Sequence, residues 1–236
     1  MKLFLMPFLC LFAVLNLYSQ ETELEALMKQ DWANLKKYAA DNEQYKTETH
    51  GNSVVFMGNS ITEGWVNSSP EFFSENNYIG RGISGQTTPQ MLIRFMPDVI
   101  DLHPKVVVIL AGTNDIAGNT GFSSVKMITD NIKAMAQLAV ANNIKVILCS
   151  ILPVFDYPWR KGLNPVDKIE EINQWLKKYA LENGHIYLDY FSEMVDERKG
   201  LMQEYSEDGV HPNQKGYSLM EPLTNTAIHK ASNMSK

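Results

Sequence analysis

Continuous apolar runs along the chain predict the strands of a buried sheet. Their residues do not alternate between apolar and polar, which is typical of strands that are covered on both faces. A weaker run at Tyr78–Ile79 predicts a fifth strand. The four stronger runs are Val54–Met57, Val106–Leu110, Val146–Cys149 and Ile186–Leu188.

Between these runs, apolar residues recur every three or four positions, the spacing of a helix that packs one face on a sheet. Asn164-Pro165 is interpreted as the cap of one such helix. Each recurring set predicts one helix between two strands. The sets are Val125, Ile128, Ile132, Met135 and Ala139, and then Ile169, Ile172, Leu176 and Tyr179.

Two further helices are predicted outside the strand region. Ahead of the first strand, residues 21–46 are expected to form an amphipathic helix that packs on the sheet or covers one of its edges. After the last strand, Asn213 begins a predicted helix that is broken or restarted at Pro222. The apolar positions of the first helix are Leu24, Met28, Trp32, Leu35 and Ala39.

The alternation of strands and helices predicts an α/β fold, with a mainly parallel sheet and helices on both faces. No linker, repeat or low-complexity tract interrupts the chain, so residues 20–236 are expected to form a single domain. In sheets of this kind, ligands bind at the carboxyl ends of the strands. The loops that leave those ends are therefore where chemistry is expected.

Residues 1–19 have the order of a secretory signal peptide. Lys2 supplies a positive start, residues 3–15 are almost wholly apolar, and small and polar residues follow up to Ser19. The apolar run is short for a membrane span and contains Pro7, which argues against a stable membrane anchor. We therefore expect cleavage near Ser19 and export to the periplasm or the medium.

Composition narrows the classes of partner and of chemistry. The 236 residues include 21 Lys and Arg against 27 Asp and Glu, a net charge of −6, with no basic tract. Such a chain is poorly suited to bind nucleic acid or an anionic membrane. Two cysteines are too few for a disulfide scaffold, and Cys149 lies in a predicted buried strand, which argues against a thiol nucleophile. Metal-ligand spacing is absent from the scattered histidines, His50, His103, His185 and His229.

Four polar segments that contain glycine lie where the backbone is expected to turn sharply, three of them directly after strands. They are GNSITEG from residue 58, RGISGQTT from residue 81, AGTND from residue 111 and DGVHP from residue 208. Together they supply a hydroxyl, an imidazole, a carboxylate, a side-chain amide and flexible glycine amides. These groups are what acyl transfer requires: a nucleophile, a base, an orienting acid and oxyanion donors.

The chemistry assigns each group a role. Ser60 is the nucleophile, and its hydroxyl needs a base to take the proton. His211 is the base, because imidazole titrates near neutral pH, and Asp208 lies three residues earlier, where it can hold the ring in one tautomer. Negative charge that develops on the substrate carbonyl would be met by the backbone amides of Ser60 and Gly85 and by the side chain of Asn114.

These segments resemble the sequence blocks of the SGNH, or GDSL-type, esterase and lipase family. GNSIT is similar to the nucleophile block, RGISGQTT to the oxyanion glycine block, GTND to the oxyanion asparagine block and DGVHP to the D-x-x-H block. They follow the family order from about Ser53 to Tyr217. The resemblance implies a flavodoxin-like three-layer α/β/α sandwich and the same roles for the triad and oxyanion residues. RGISGQTTPQMLIRF is most similar to the branch related to platelet-activating-factor acetylhydrolase.

One position departs from the family pattern. The aspartate before the nucleophile is Asn59 here, which has the same shape and can accept a loop hydrogen bond but lacks the charge. Asn59, Trp65 and Trp159 are the candidate substrate-binding residues. Trp159 lies in an aromatic loop, residues 157–161, at the edge of the sheet where the carboxyl ends of the strands lie, which we call the active edge. Aromatic faces suit sugars or acyl chains. Asp115 is interpreted as a structural residue.

The leading hypothesis is a secreted serine esterase that needs no metal or organic cofactor and acts on a small-molecule or glycan ester. Acetylated carbohydrate is the favoured substrate, and a short-acyl phospholipid is the alternative that the family branch implies. A non-catalytic carbohydrate-binding domain on the same fold is a hypothesis of another class, which Asn59 favours and the triad opposes. A flavodoxin-like cofactor binder would need a phosphate loop, and no such motif follows a strand. The oligomeric state stays open.

Overall fold

Five parallel strands form one sheet in the computed structural model, which describes residues 25–47 and 52–234. The strands are β1 (Val54–Gly58), β2 (Tyr78–Gly82), β3 (Val106–Leu110), β4 (Lys145–Cys149) and β5 (Ile186–Leu188). Their order in the sheet is β2-β1-β3-β4-β5, the flavodoxin-like order. The predicted fold class and all five predicted strands are confirmed, and β2 extends three residues beyond its predicted end.

Helices connect the strands and cover the sheet. The connecting segments also include a 3₁₀ turn at Ile100–Leu102. The helices are α1 (Ala39–Thr47), α2 (Ser60–Ser68), α3 (Pro70–Ser74), α4 (Thr88–Ile93), α5 (Phe95–Asp98), α6 (Thr113–Ile116), α7 (Val125–Ala141), α8 (Val166–Glu182), α9 (Phe191–Met194) and α10 (Gln214–Asn233).

The sheet buries side chains on both faces, which makes the three layers. Val55 and Met57 of β1 belong to one apolar core, with α7 and α8, whereas Phe56 belongs to the opposite core, with α2 and α10. The predicted inner faces of α7 and α8 are confirmed, with Val125 and Tyr179 partly buried at the margin of the core. Their fully buried members are Ile128, Ile132, Met135, Ala139, Ile169, Ile172 and Leu176.

The segment before β1 differs from the predicted continuous helix. Residues 25–28 are helical, but turns separate them from α1. The carboxylate of Asp31 accepts hydrogen bonds from the backbone amides of Leu35 and Lys36, at 2.9 and 3.0 Å. Because this side chain competes for amides that a helix would bond internally, the helix is interrupted. The prediction of one amphipathic helix over residues 21–46 is therefore wrong.

The same segment covers an edge of the sheet, as predicted. The hydroxyl of Tyr38 donates to the carbonyl of Gly82, at the end of edge strand β2. The side-chain amide of Gln86 donates to the carbonyl of Ala33 at 2.7 Å. These bonds join the N-terminal segment to the loop that leaves β2, next to the active edge.

Two helix boundaries also differ from prediction. Asn164 does not cap α8, because Pro165 occupies the cap position and no side chain bonds the first turn. Pro222 lies inside α10 instead of breaking it, and Asn213 caps that helix by accepting a hydrogen bond from the amide of Gly216 at 3.1 Å. A proline removes one helical hydrogen bond, and apolar burial on both sides of it holds the halves together. The buried residues are Tyr217, Met220, Ala227 and Ile228.

The predicted leader, residues 1–19, lies outside the residues that the structure describes. Within residues 25–47 and 52–234, no helix combines the length and the apolar character that crossing a membrane requires.

Candidate active site

The loop between β1 and α2 presents Ser60 at a helix N-terminus. Asn59 follows β1 directly, and Ser60 is the first residue of α2. The side chain of Asn59 caps the helix, since its oxygen accepts a hydrogen bond from the amide of Ile61 at 3.0 Å. At this position the unpaired amides and the helix dipole stabilise negative charge.

Ser60, His211 and Asp208 form a hydrogen-bonded chain. Ser60 Oγ lies 2.9 Å from His211 Nε2. On the other side of the ring, His211 Nδ1 lies 2.7 Å from Asp208 Oδ2. Both distances fit direct hydrogen bonds. The structure thus brings together the three residues that the sequence predicts as a triad, although 148 residues separate Ser60 from Asp208 in the chain.

Asp208 is held in its ionised form. One of its oxygens accepts hydrogen bonds from the amides of Val210 and His211, at 2.9 and 2.8 Å. Burial alone would raise the pKa of this carboxyl, but the hydrogen bonds from the backbone and ring of His211 and from Val210 outweigh burial, so that its pKa lies below the usual value. At neutral pH, Asp208 therefore accepts a hydrogen bond from His211 Nδ1 and orients the ring.

The two predicted oxyanion donors outside α2 are connected through one residue. Asn114 Nδ2 donates to the carbonyl of Gln86 at 3.0 Å, and Gln86 follows Gly85. A side-chain amide carries two N–H groups, and this bond uses one of them and fixes the orientation of the Asn114 side chain. Gly82 is paired with Gly58 in the sheet, which places the loop of Gly85 beside the loop of the serine.

Two of the three predicted substrate-binding residues are buried. Asn59 and Trp65 are each only 1% exposed. Trp65 lies between Phe72 and Tyr217, with ring centroids 5.3 and 5.6 Å away. Neither side chain can contact a substrate, so these two predictions are wrong. Asn59 is used as a helix cap and Trp65 as part of the aromatic core beneath α2.

Trp159, the third predicted substrate-binding residue, lies at the surface beside the imidazole of His211. It is 46% exposed, and its ring centroid is 6.1 Å from that of His211. The loop that carries it is firmly attached. The buried hydroxyl of Tyr157 donates to the carbonyl of Thr113 at 2.9 Å, and Arg160 donates to backbone carbonyls at the end of α6. Trp159 is therefore held next to the turn that carries Asn114, the predicted oxyanion asparagine.

Asp115 is a structural residue, as predicted. Its carboxylate accepts hydrogen bonds from the hydroxyl of Thr88 and from the amide of Thr88 at 2.9 Å, which joins α6 to the start of α4. The side chain is almost completely buried. Burial raises the pKa of Asp115 to about 6, although the hydrogen bonds from Thr88 act in the opposite direction.

Cys149 is not a second nucleophile, and of the scattered histidines His50 lies outside the residues that the structure describes. Burial in β4 raises the pKa of the Cys149 thiol well above its usual value, so the thiol stays protonated and is a poor nucleophile. Among the residues described by the structure, no three His, Cys, Asp or Glu side chains are grouped so that they could hold a metal ion.

Comparison with known protein families identifies the arrangement. The family model of GDSL-like lipases and acylhydrolases matches residues 56–219, a range that includes all five predicted triad and oxyanion residues. The chain belongs to the GDSL-like lipase/acylhydrolase family. It is therefore an ester-bond hydrolase, and a non-catalytic carbohydrate-binding domain is no longer supported.

A solved structure and a curated protein are similar to this chain. The acylhydrolase is similar to the solved structure of a GDSL-like lipase from Bacteroides thetaiotaomicron, with 48% identity and a TM-score of 0.83 over 85% of this chain and 100% of that one. A curated relative is the uncharacterized lipoprotein YqeF of Bacillus subtilis, 29% identical over 114 residues. That alignment covers 47% of each chain, so the acylhydrolase spans about half the length of this relative.

Two more distant structures share the fold. An acetyl xylan esterase, AlAXEase, is 22% identical with a TM-score of 0.61, over 74% of this acylhydrolase and 98% of that chain. A Streptococcus pneumoniae protein whose name refers to platelet-activating factor is 24% identical with a TM-score of 0.69, over 90% of this acylhydrolase and 99% of that chain. At these identities the likeness concerns the fold alone.

A buried arginine that the sequence prediction missed supports the active edge of the acylhydrolase. Arg94 has no exposed surface, and its guanidinium pairs with Asp98 at 2.9 Å. It also donates to the carbonyl of Gly58 at 2.9 Å and to the side-chain oxygen of Gln86 at 2.6 Å. Arg94 thus connects the end of β1 to the loop of Gly85. The available signal was a charged residue within the apolar helical run MLIRF.

The raised pKa of Asp115 predicts a pH-dependent contribution to stability. Because the folded state binds this proton more tightly than the unfolded state, the contribution is fully present below the usual pKa of 3.8 and is lost as the pH rises through about 6. Urea unfolding of the wild type and of Asp115→Asn, which does not titrate, measures the difference. We expect the free energy of unfolding of the wild type to fall by about 2 kcal/mol relative to the variant between about pH 4.5 and 7.5. A difference that does not change with pH would contradict the raised pKa.

Proposed function

We propose that this acylhydrolase is an exported serine esterase that removes short acyl groups, chiefly acetyl, from carbohydrate. The observation that carries the catalytic part of the proposal is the hydrogen-bonded chain from Ser60 through His211 to Asp208. These hydrogen bonds have the distances and the order that a serine nucleophile needs for activation by a base.

In the acylation step, Ser60 Oγ attacks the ester carbonyl while its proton moves to His211 Nε2. The ionised Asp208 keeps the Nδ1 proton directed toward itself and stabilises the imidazolium that forms. The tetrahedral intermediate then collapses, and His211 gives its proton to the departing alcohol. Water, deprotonated by His211, attacks the acyl-enzyme in the same way and releases the acid, which restores Ser60.

The charge that develops on the carbonyl oxygen needs donors that are already in place. The amide of Ser60 lies in the first turn of α2, where the helix dipole supports it. The amide of Gly85 and the second N–H of Asn114 complete the proposed oxyanion site, with Asn114 oriented by its bond to Gln86. Such preorganised donors supply much of the rate enhancement in acyl transfer.

The carbohydrate part of the proposal depends on Trp159. Its exposed ring lies 6.1 Å from the imidazole, measured between ring centroids, and its loop is bonded to the turn that carries Asn114. A fixed aromatic face beside the reacting groups suits the apolar face of a sugar ring. An acetyl xylan esterase with the same fold is consistent with this choice. A short-acyl phospholipid is the competing substrate class.

Export is proposed from residues 1–19, which lie outside the described residues. A positive start, an apolar run and small polar residues up to Ser19 are the parts of a signal peptide. The Bacillus subtilis relative is named as a lipoprotein, which is consistent with export. N-terminal sequencing of the protein recovered from the producing cells would locate the cleavage site.

A panel of substrates tests the proposal. Acetylated monosaccharides, acetylated xylan and a short-acyl phospholipid are offered to the wild type, to Trp159→Ala and to His211→Ala, with p-nitrophenyl acetate as a substrate without a sugar. We expect Trp159→Ala to raise KM for acetylated sugars by about tenfold, the effect of losing roughly 1.4 kcal/mol of stacking, and to leave p-nitrophenyl acetate unchanged. Hydrolysis of the phospholipid in preference to every acetylated sugar would reject the carbohydrate assignment and retain the esterase. His211→Ala gives the background rate of hydrolysis in the absence of the proposed catalytic base.

A further inference from the structure

Gly85 has no side chain with which to pack, in contrast to its buried neighbours Ile83 and Gln86. Gly85 is exposed, has a φ of 77°, and a Cβ placed on it would meet no atom within 4 Å. A glycine in such a turn is free to change conformation unless its neighbours are held. An oxyanion donor contributes most when its position is fixed before the reaction. Something other than packing must therefore hold this amide.

A carboxylate on α2 is bonded to the residue before Gly85. Glu63 accepts hydrogen bonds from both the backbone amide of Ser84, at 2.8 Å, and the hydroxyl of Ser84. Its second oxygen is paired with the ammonium of Lys37. On the far side of the glycine, Asn119 Nδ2 donates to the carbonyl of Gly85 at 3.2 Å. The peptide groups on both sides of the donor are thus anchored.

Glu63 is attached to the nucleophile through its own helix. It lies one turn after Ser60 in α2, and its backbone amide donates to the carbonyl of Asn59 at 3.0 Å. The end of β2 lies directly against this first turn, because a Cβ on Gly82 would come within 2.3 Å of the Glu63 amide nitrogen and 2.7 Å of the Asn59 carbonyl oxygen. The helix and the loop therefore contact each other through backbone atoms as well as through the carboxylate.

The carboxylate is charged at neutral pH. Its side chain is 24% exposed. Burial acts to raise the pKa of Glu63, but the hydrogen bonds from Lys37 and Ser84 outweigh burial and hold the pKa below its usual value. An ionised acceptor forms stronger hydrogen bonds to an amide and a hydroxyl than a neutral one does.

We infer that Glu63 is a positioning residue that fixes the Gly85 amide relative to the Ser60 amide, so that both oxyanion donors move as one unit with α2. The inference rests on the proposed oxyanion role of Gly85. Since the side chain of Glu63 is connected to the proposed oxyanion site through Ser84 and Gly85, its loss should affect the transition state, where the oxyanion exists, and not the binding of the neutral ester.

The test measures kcat and KM for p-nitrophenyl acetate in Glu63→Ala, Glu63→Gln and Glu63→Asp, together with the inhibition constant of a methyl trifluoromethyl ketone, which forms a tetrahedral adduct on serine. We expect Glu63→Ala to lower kcat by about 10- to 100-fold with KM within about twofold, and to weaken the ketone by the same factor as kcat/KM. Glu63→Gln should recover part of kcat, because an amide oxygen still accepts from Ser84.

Lys37→Met is the matched control, since it removes the partner cation and leaves both bonds to Ser84. We expect its kcat to lie within about twofold of the wild type, as for the loss of a surface ion pair. If Glu63→Ala does not fold, the kcat of Glu63→Asp tests the inference instead. This variant keeps the charge, but its carboxylate is one methylene too short to reach Ser84. A folded Glu63→Ala or Glu63→Asp with unchanged kcat, or a Lys37→Met as slow as Glu63→Ala, would overturn the inference.

Ser60→Ala is measured in parallel so that two failures are distinguished. If Ser60→Ala is as active as the wild type, the proposed catalytic mechanism fails. If Ser60→Ala is inactive while the Glu63 variants match the wild type, the mechanism holds and only the positioning role fails.

Discussion

Ser60→Ala is expected to lower kcat for p-nitrophenyl acetate by about 10⁴-fold or more, because the variant has no nucleophile to form the acyl-enzyme. His211→Ala should lose activity to a similar extent, since the hydroxyl of Ser60 is 2.9 Å from the ring nitrogen that takes its proton. Residues that act as one unit are not additive in their effects. The double variant Ser60→Ala/His211→Ala should therefore be no slower than the slower single variant.

The kinetics are informative only if all three variants fold. Ser60 is the first residue of α2 and its cap is supplied by Asn59, so removal of the hydroxyl leaves the cap bond to Ile61 intact. Thermal unfolding midpoints should stay close to that of the wild type. Activities that multiply in the double variant would show that the serine and the histidine act independently, and would contradict the triad.

Replacing Arg94 by methionine is expected to reduce the free energy of unfolding by about 3–5 kcal/mol, because it leaves Asp98 buried without its cation. The same change removes the donors to the carbonyl of Gly58 and to the side chain of Gln86. Arg94→Lys should be intermediate, since an ammonium keeps the charge but lacks the planar fork that reaches several acceptors at once. Urea unfolding at neutral pH measures all of these differences.

Arg198→Met is the matched control for this prediction. Arg198 also pairs with an aspartate, at 3.2 Å, but its side chain is 71% exposed. Loss of such a surface pair changes stability by about 0–1 kcal/mol. Equal effects for the two arginines would mean that burial does not govern the contribution of Arg94, and that the network at the active edge is not structurally required.

The strands were predictable because of their composition. A run such as Val106–Leu110 is apolar throughout, and the only stable place for it in a parallel sheet is between two helical layers. The grouping of Ser60, His211 and Asp208 was predictable for a chemical reason, since a serine after a buried strand and an Asp-x-x-His pair have the residue types of a nucleophile, a base and an orienting acid. The helical pattern before β1 was misleading, because Asp31 offers the backbone a local alternative to the helix.

Side-chain roles near the site were less predictable than the motif. Trp65 and Trp159 both follow strands and both suit a pocket by residue type. Packing separates them: Trp65 is stacked inside the aromatic core beneath α2, whereas Trp159 stays at the surface next to His211. This difference cannot be read from the spacing of residues along the chain, because it depends on which side chains pack against the sheet in the folded protein.

The sequence by itself determined which residues of this acylhydrolase are buried in strands, which loops leave those strands, and which segments carry Ser60, the proposed oxyanion residues and the Asp208–His211 pair. Local composition is sufficient for these, since hydrophobic runs and short motifs are properties of neighbouring residues. Only the tertiary structure decided that Glu63 is bonded to Ser84, that Arg94 is bonded to Gly58 and Gln86, and that Asn59 is a buried cap. These contacts join segments distant in the chain, and they exist because the parallel sheet brings the carboxyl ends of β1, β2 and β3 to one edge.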